Sequence, residues 1–249
     1  KNGTAVSSTG CGNAAADSPL QLPPDLEPDF LEFKARLAQR VDSGAMSGET
    51  FQLLTRFGRL VHKQAAQLAL IAHGDRSILF TRHVLDSLNP IDLFVQPPIS
   101  LLDVGSGGGF PGIPLAIVWP ETRVTLLESR EKKCGFLERA VRELELKNVK
   151  VACARLEDFG KSWTADAHAC VFIRAVGGLP ALLSTVERAT ARDAQWVYFL
   201  GGEISVEALR EGLGPRGVGA VVRSGSFGGK LLVGRFRPES ADRENSGRE

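Results

Sequence analysis

An apolar run, Ile99-Ser-Leu-Leu-Asp-Val104, ends in five glycines within ten residues, Asp103-Val-Gly105-Ser-Gly107-Gly-Gly109-Phe110-Pro111-Gly112, and apolar residues resume in Ile113-Pro-Leu-Ala-Ile-Val-Trp119. Such an order reads as strand, tight turn, helix. Glycine adopts backbone conformations closed to other residues and lets a ligand come close to the main chain. The helix start that follows offers N–H groups without intrahelical partners to a polar ligand group. A small-molecule site at the carboxyl end of a strand is therefore expected here.

The spacing of the glycines separates candidate ligands. The dinucleotide pattern G-x-G-x-x-G needs a third glycine so that the helix packs close beneath a pyrophosphate, and that position falls on Phe110. The alternative, acid-x-G-x-G-x-G, fits Asp103, Gly105, Gly107 and Gly109. S-adenosyl-L-methionine (SAM) has no pyrophosphate and asks for close backbone approach with an acid near its aminoacyl end. The loop thus predicts SAM. Glu128, closing the next apolar run Val124-Thr-Leu-Leu-Glu128, is placed to accept hydrogen bonds from both ribose hydroxyls.

Strand-like and helix-like segments alternate from Ile99 onward: VTLLE, then SREKKCGFLERAVRELEL, VKVACA, ACVFIR, LPALLSTVERA, QWVYFL and EISVEALREGL. Alternation of this kind predicts a parallel sheet with helices on both faces. Two closing β-like runs, VGAVVRSGSF and KLLVGRFRP, predict an antiparallel hairpin at its edge, the arrangement of a class I methyltransferase. Before the sheet, residues 29–93 are helical. Phe30, Phe33, Leu37 and Val41 form one stripe, Ser47 precedes a second helix, and a third is expected from Ile78 to Leu88, stopping before Asn89-Pro90. Residues 1–28 and 238–249 lack large apolar side chains and are expected to be a disordered leader and tail, flanking a helical part (29–93) and a SAM-binding domain (94–237).

Thirty basic against twenty-nine acidic residues leave a net charge of +1, which excludes a strongly polybasic binding mode. No apolar stretch is long enough to span a membrane. The four cysteines, Cys11, Cys134, Cys153 and Cys170, are scattered with no C-x-x-C pair and no clustered histidines. That pattern predicts no disulfide framework, no metal site and a cytoplasmic location; Cys134 and Cys153 read as small core residues.

The string DVGSGGGFPGIPLAI, with RHVLDSL upstream, resembles the GidB/RsmG family, bacterial guanine-N7 methyltransferases of small-subunit ribosomal RNA. Matching pieces continue through Leu127-Glu-Ser, Arg155-Leu-Glu-Asp-Phe159 and Arg174-Ala, so the resemblance covers about Phe51 to Arg237. It implies SAM-dependent methylation of the guanine conventionally numbered 527 in 16S rRNA, with the rRNA, the small subunit or its precursor as partner. It further implies that Gly105 and Phe110 touch the cofactor, that Leu156 and Glu157 flank the adenine, that Arg174 serves both cofactor and catalysis, and that His83 and Asp86 wall the active site. Those two, three residues apart on one expected helix, are placed to hydrogen-bond each other.

Three departures from the family pattern stand out: Gln67-Leu68-Ala69 in place of Asn-Leu-Thr, Ile173 in place of Ser before Arg174, and Gly201 in place of a lysine. A missing cation weakens RNA binding more than it weakens a fold. The alternatives are a methyltransferase for another RNA or a small molecule, and a non-catalytic SAM-binding assembly module. Arg210, Arg216, Arg223, Lys230, Arg235 and Arg237, against Glu211 alone, make a candidate phosphate-tracking patch.

Overall fold

The computed structural model describes residues 22–42, 44–162, 169–174, 178–189, 194–201, 205–213 and 220–236. A seven-stranded sheet in the order β3-β2-β1-β4-β5-β7-β6 forms its centre. The strands are β1 (Ser100–Val104), β2 (Arg123–Glu128), β3 (Val149–Cys153), β4 (Ala169–Ile173), β5 (Gln195–Leu200), β6 (Val221–Ser224) and β7 (Lys230–Arg235). The first five run parallel, and β7 pairs antiparallel with both β5 and β6. This is the class I methyltransferase sheet that the alternation predicts.

Side chains of the strands alternate between two apolar layers because a strand turns successive residues to opposite faces. Leu101, Val124, Leu126, Phe172, Val197 and Leu231 face one layer, and Leu102, Val104, Leu127, Val171, Trp196 and Leu232 face the other. The second layer is closed by α5 (Leu156–Ser162), α6 (Leu179–Ala189) and α7 (Val206–Leu213). The first is closed by α3 (Gly112–Val118), α4 (Glu131–Glu143) and the helices before the sheet, α1 (Glu27–Asp42) and α2 (Gly48–Leu68).

The helical part and the sheet share one core, since Phe33, Leu37, Phe57 and Phe80 join the same cluster as Phe172 and Leu231. Within it Phe80 packs against Phe30 and Phe33 at centroid distances of 5.0 and 5.1 Å. Ser47 caps α2 as its position foretells, its hydroxyl accepting from the Thr50 N–H at 3.1 Å.

Two expectations on this side of the sheet need correction. The sequence predicts a disordered leader through Pro28, but α1 starts at Glu27 and Leu26 is fully buried, its N–H bonded to the Pro23 carbonyl. Residues 1–21 and 237–249 lie outside the described residues. The third helix is not one α-helix. It is a 3₁₀ turn (His73–Ile78), a π-helical turn (Phe80–Leu85) and a second 3₁₀ stretch (Asp86–Leu93) that runs through Pro90. Buried Asp29 on α1 starts the π turn by accepting the N–H groups of Phe80 (2.6 Å) and Thr81 (3.1 Å). Pro90 brings no N–H, and the Asn89 side-chain amide supplies a donor locally, reaching the Asp86 carbonyl at 2.9 Å.

Candidate active site

The carboxyl ends of β1, β2 and β4 meet where the strand order reverses, the place where sheets of this class bind ligands. The glycine loop leaves β1 there. Gly105, Gly107 and Gly109 have φ of +74°, +55° and +90°, a region that side chains penalise. A Cβ on Gly109 would meet Ile113 at 2.7 Å and Phe57 at 3.2 Å, so the loop lies directly on the core.

Glu128 holds the loop from the neighbouring strand. Its Oε2 accepts the Gly107 N–H at 3.0 Å, and its Oε1 accepts those of Ser129 and Arg130 at 2.8 and 2.9 Å. Asp103 is fully buried; its Oδ2 accepts the Gly112 N–H at 3.1 Å and so ties β1 to α3. A Cβ on Gly112 would meet that oxygen at 2.6 Å, so Gly112 does the close helix–strand packing that the dinucleotide pattern would assign to position 110. Phe110 turns its ring into the core, against Phe57 (5.1 Å) and His83 (5.3 Å). The other Asp103 oxygen, Oδ1, is buried without a partner among the described residues. An open-faced glycine loop, an acid at the end of the second strand and this unpartnered oxygen fit SAM. Leu156 and Glu157, which the resemblance sets beside the adenine, start α5 after β3, with Leu156 buried and Glu157 exposed.

Arg174 follows β4 and reaches across the sheet edge to the helical part. Its guanidinium pairs with Asp86 Oδ2 at 2.8 Å and donates to the Arg82 carbonyl (2.8 Å), the His83 carbonyl (3.2 Å) and Ser87 Oγ (3.0 Å). The group also lies over the Phe199 ring, 5.5 Å from its centroid. The guanidinium is thus committed to positioning the His83–Ser87 segment. His83 and Asp86 do not bond each other, which corrects the expectation drawn from a shared helix face. The wider π turn followed by the tighter 3₁₀ stretch breaks the α-helical spacing. His83 Nε2 meets Asp75 Oδ2 at 3.0 Å, and Asp86 accepts from the Asn89 amide at 2.7 Å.

Asp75, Ser87 and Asn89 complete this network, although the sequence marks Ser87 only within the RHVLDSL string and Asn89 only as a stop before proline. Asn89 is fully buried, and its Oδ1 accepts the N–H groups of Phe227 (3.0 Å) and Gly229 (3.2 Å), binding the β6–β7 turn to the site. Arg36 on α1 holds the same turn through the Phe227 carbonyl at 2.6 Å. Together these elements border a cleft of about 690 Å³, whose wall includes Arg82, His83, Asp86, Arg174 and Gly201.

Burial, reinforced by the Arg174 charge and only partly offset by Asp75, lowers the His83 pKa to about 4. Burial also raises Asp103 to about 7, against the hydrogen bond from the Gly112 N–H. The two act with opposite sign. The unfolded chain protonates His83 below its ordinary 6.5 while the folded chain does not, so stability from this group is complete above 6.5 and is lost as pH falls toward 4. Asp103 contributes stability that is complete below its ordinary 3.8 and is lost as pH rises through about 7. The His83 and Asp103 contributions therefore oppose each other across this window. His83→Gln should gain about 2 kcal/mol on the wild type between pH ~7 and ~5. Urea midpoints at the two pH values check this, and parallel profiles for the two proteins would overturn it.

Cys134 and Cys153 form a disulfide, and Cys153 is exposed, so they are not two inert core thiols. Their spacing concealed a pairing that the β2–α4–β3 path brings about. Cys170 is a buried free thiol whose pKa burial raises, and Cys11 lies outside the described residues. Arg216, Arg237 and the side chain of Arg210 also lie outside them. Among the described residues no cluster of His, Cys, Asp or Glu could hold a metal, and no helix is long and apolar enough to cross a membrane.

Comparison with known proteins supplies the context. The family description "GidB: rRNA small subunit methyltransferase G" matches residues 50–212. Among curated relatives, the Ribosomal RNA small subunit methyltransferase G of Paracoccus denitrificans is 38% identical over 144 residues, covering 58% of this chain and 72% of that protein. Its namesake in Laribacter hongkongensis is 36% identical over 170 residues, covering 68% of this chain and 79% of that protein. Among solved structures, cofactor-bound Rv0187 from MTB aligns with a TM-score of 0.52 at 19% identity, covering 88% of this chain and 100% of that one. PigF with SAH aligns with a TM-score of 0.53 at 14% identity, covering 84% and 70%. Both are similar in fold.

Proposed function

This chain belongs to the GidB family, and on that premise we propose that it methylates N7 of a guanine in 16S rRNA, position 527, using SAM. The observation that carries the reading is the glycine loop bonded to Glu128 at the strand-order reversal, with its Phe110 ring packed behind His83, which lines the neighbouring cleft. When bound, SAM supplies a methyl group activated by an adjoining sulfonium. Gly105, Gly107, Glu128 and Leu156 would hold it, with Asp103 fixing the loop from beneath.

Guanine N7 has an in-plane lone pair and no proton at neutral pH, so the chain has no proton to remove. The cleft agrees with that requirement. His83, with its pKa lowered to about 4, is neutral, and Asp86 is paired with Arg174, so neither is set up as a general base. Their work is positioning: the Arg174 network fixes the wall against which an unstacked guanine is held, and the closed core behind it excludes water. A structured but unpaired guanine is the fitting target, because the deep major groove of A-form RNA hides N7. The partner is the 16S rRNA or the small ribosomal subunit, and the place of work is the cytoplasm.

Labelled SAM offered with immature small subunits, with free 16S rRNA and with no RNA tests the proposal. Label in N7-methylguanine of the particle or the rRNA is the expected result. Cofactor binding without transfer to any RNA would replace it with the non-catalytic assembly module. Gly201 supplies a second measurement. It lies at the cleft, and a Cβ there meets none of the described residues within 4 Å. Gly201→Lys should tighten RNA binding and steepen the salt dependence by about one unit of log–log slope. An unchanged salt titration would show that the missing lysine is immaterial to RNA binding.

A further inference from the structure

The disulfide has no part in the chemistry proposed above, yet it sits against the residue that supports the cofactor loop. Cys134 lies in the first turn of α4, and Cys153 ends β3, their Cα atoms 5.8 Å apart, a separation that a disulfide spans. The β2–β3 register places Cys153 directly opposite Glu128. The Glu128 carbonyl accepts the Ala154 N–H at 3.0 Å, and the Cys134 sulfur lies 3.3 Å from the same oxygen. Through its carboxylate, Glu128 holds Gly107. Beyond Cys153, Leu156 opens α5. The crosslink therefore ties the start of α4 and the end of β3 together around the end of β2.

The two cysteines differ in exposure. Cys134 is 3% exposed, whereas Cys153 is open to solvent. An incoming thiolate that attacks Cys153 displaces Cys134, which lies in the first turn of α4.

We propose that Cys134–Cys153 is a thiol–disulfide exchange site for low-molecular-weight thiols and disulfides, and that its closed form preorganises the cofactor site. The second half rests on the SAM reading given above. In the exchange, a small thiolate attacks the Cys153 sulfur, the S–S bond breaks, and Cys134 leaves as a thiolate that takes a proton from water. A second small thiolate attacks the resulting mixed disulfide, forming the small-molecule disulfide and freeing the Cys153 thiolate. Reversal, with a small disulfide as oxidant, restores the crosslink. Once reduced, Cys134 finds a partner for its S–H in the Glu128 carbonyl, while Cys153 is released and the strand end loosens.

The test uses the full chain equilibrated with oxidised glutathione or with dithiothreitol, alkylated and peptide-mapped, then titrated calorimetrically with S-adenosylhomocysteine. The map should show Cys134 joined to Cys153 in the oxidised sample and both alkylated in the reduced one, in Cys11→Ser as well. Reduction should weaken binding roughly three- to tenfold, the scale of ordering one or two side chains on association. Cys153→Ser should bind as the reduced chain does and ignore redox treatment. Free thiols at both positions in the oxidised sample, or equal affinity of the two forms, would overturn the proposal. Absence of binding in either form would overturn the cofactor assignment instead, and the peptide map would still decide whether exchange occurs.

Discussion

Arg174→Ala should destabilise the chain by about 3–5 kcal/mol, because it leaves Asp86 in a largely buried position without its cation. The same change frees the Arg82 and His83 carbonyls and Ser87 Oγ, which Arg174 now holds. Methyl transfer should fall with it, through loss of the cleft wall. Arg174→Lys keeps a charge but not the planar fork, and should recover only the Asp86 pairing. Truncating both partners, Arg174→Met with Asp86→Leu, should restore much of the stability, since apolar residues of similar volume often replace a buried pair at no cost. It should not restore methyl transfer. Denaturant midpoints and initial rates on all three variants separate the roles. Full activity in the stable double variant would show that Arg174 does nothing beyond holding the fold.

The second large effect concerns Glu128. From the sequence, Glu128→Gln should be mild, since an amide oxygen still accepts. The structure reverses this expectation: both carboxylate oxygens are engaged by backbone N–H donors, two on Oε1 and one on Oε2. A glutamine satisfies one side only, and its NH₂ then faces an N–H. Its better orientation keeps Ser129 and Arg130 and turns the NH₂ toward Gly107. Glu128→Gln should therefore lose cofactor affinity about as much as Glu128→Ala, by about ten- to a hundredfold, the roughly 1.5–3 kcal/mol of a charge-assisted hydrogen bond. Circular dichroism should be unchanged, because the contact lies at the strand end. Calorimetry that finds Gln close to wild type and Ala alone impaired would restore the simpler view of Glu128 as a ribose acceptor.

Much of this molecule follows from residues close together in the chain. The turn at Gly105–Gly109 is legible because positive φ is a demand on single residues, and the sheet because alternating and helical apolar spacings are local patterns. Ser47 marks a helix start for the same reason, and Glu128 is found by counting to the end of an apolar run.

What could not be read is who partners whom. His83 and Asp86 are three residues apart, yet their partners, Asp75 and Arg174, are set by a π turn that Asp29 on a separate helix starts. Asn89 reads as a stop signal before proline, and only the packing of the β6–β7 turn, 138 residues on, makes it a fully buried clamp. Cys134 and Cys153 look scattered until the β2–β3 register brings one opposite Glu128 and α4 delivers the other. Local conformational preference belongs to the residue, so the sequence alone determined the loop and the sheet. A buried polar group must find a partner wherever packing brings one within reach, so tertiary structure decided the wall of the cleft, the fate of the Arg174 fork and the pairing of the thiols.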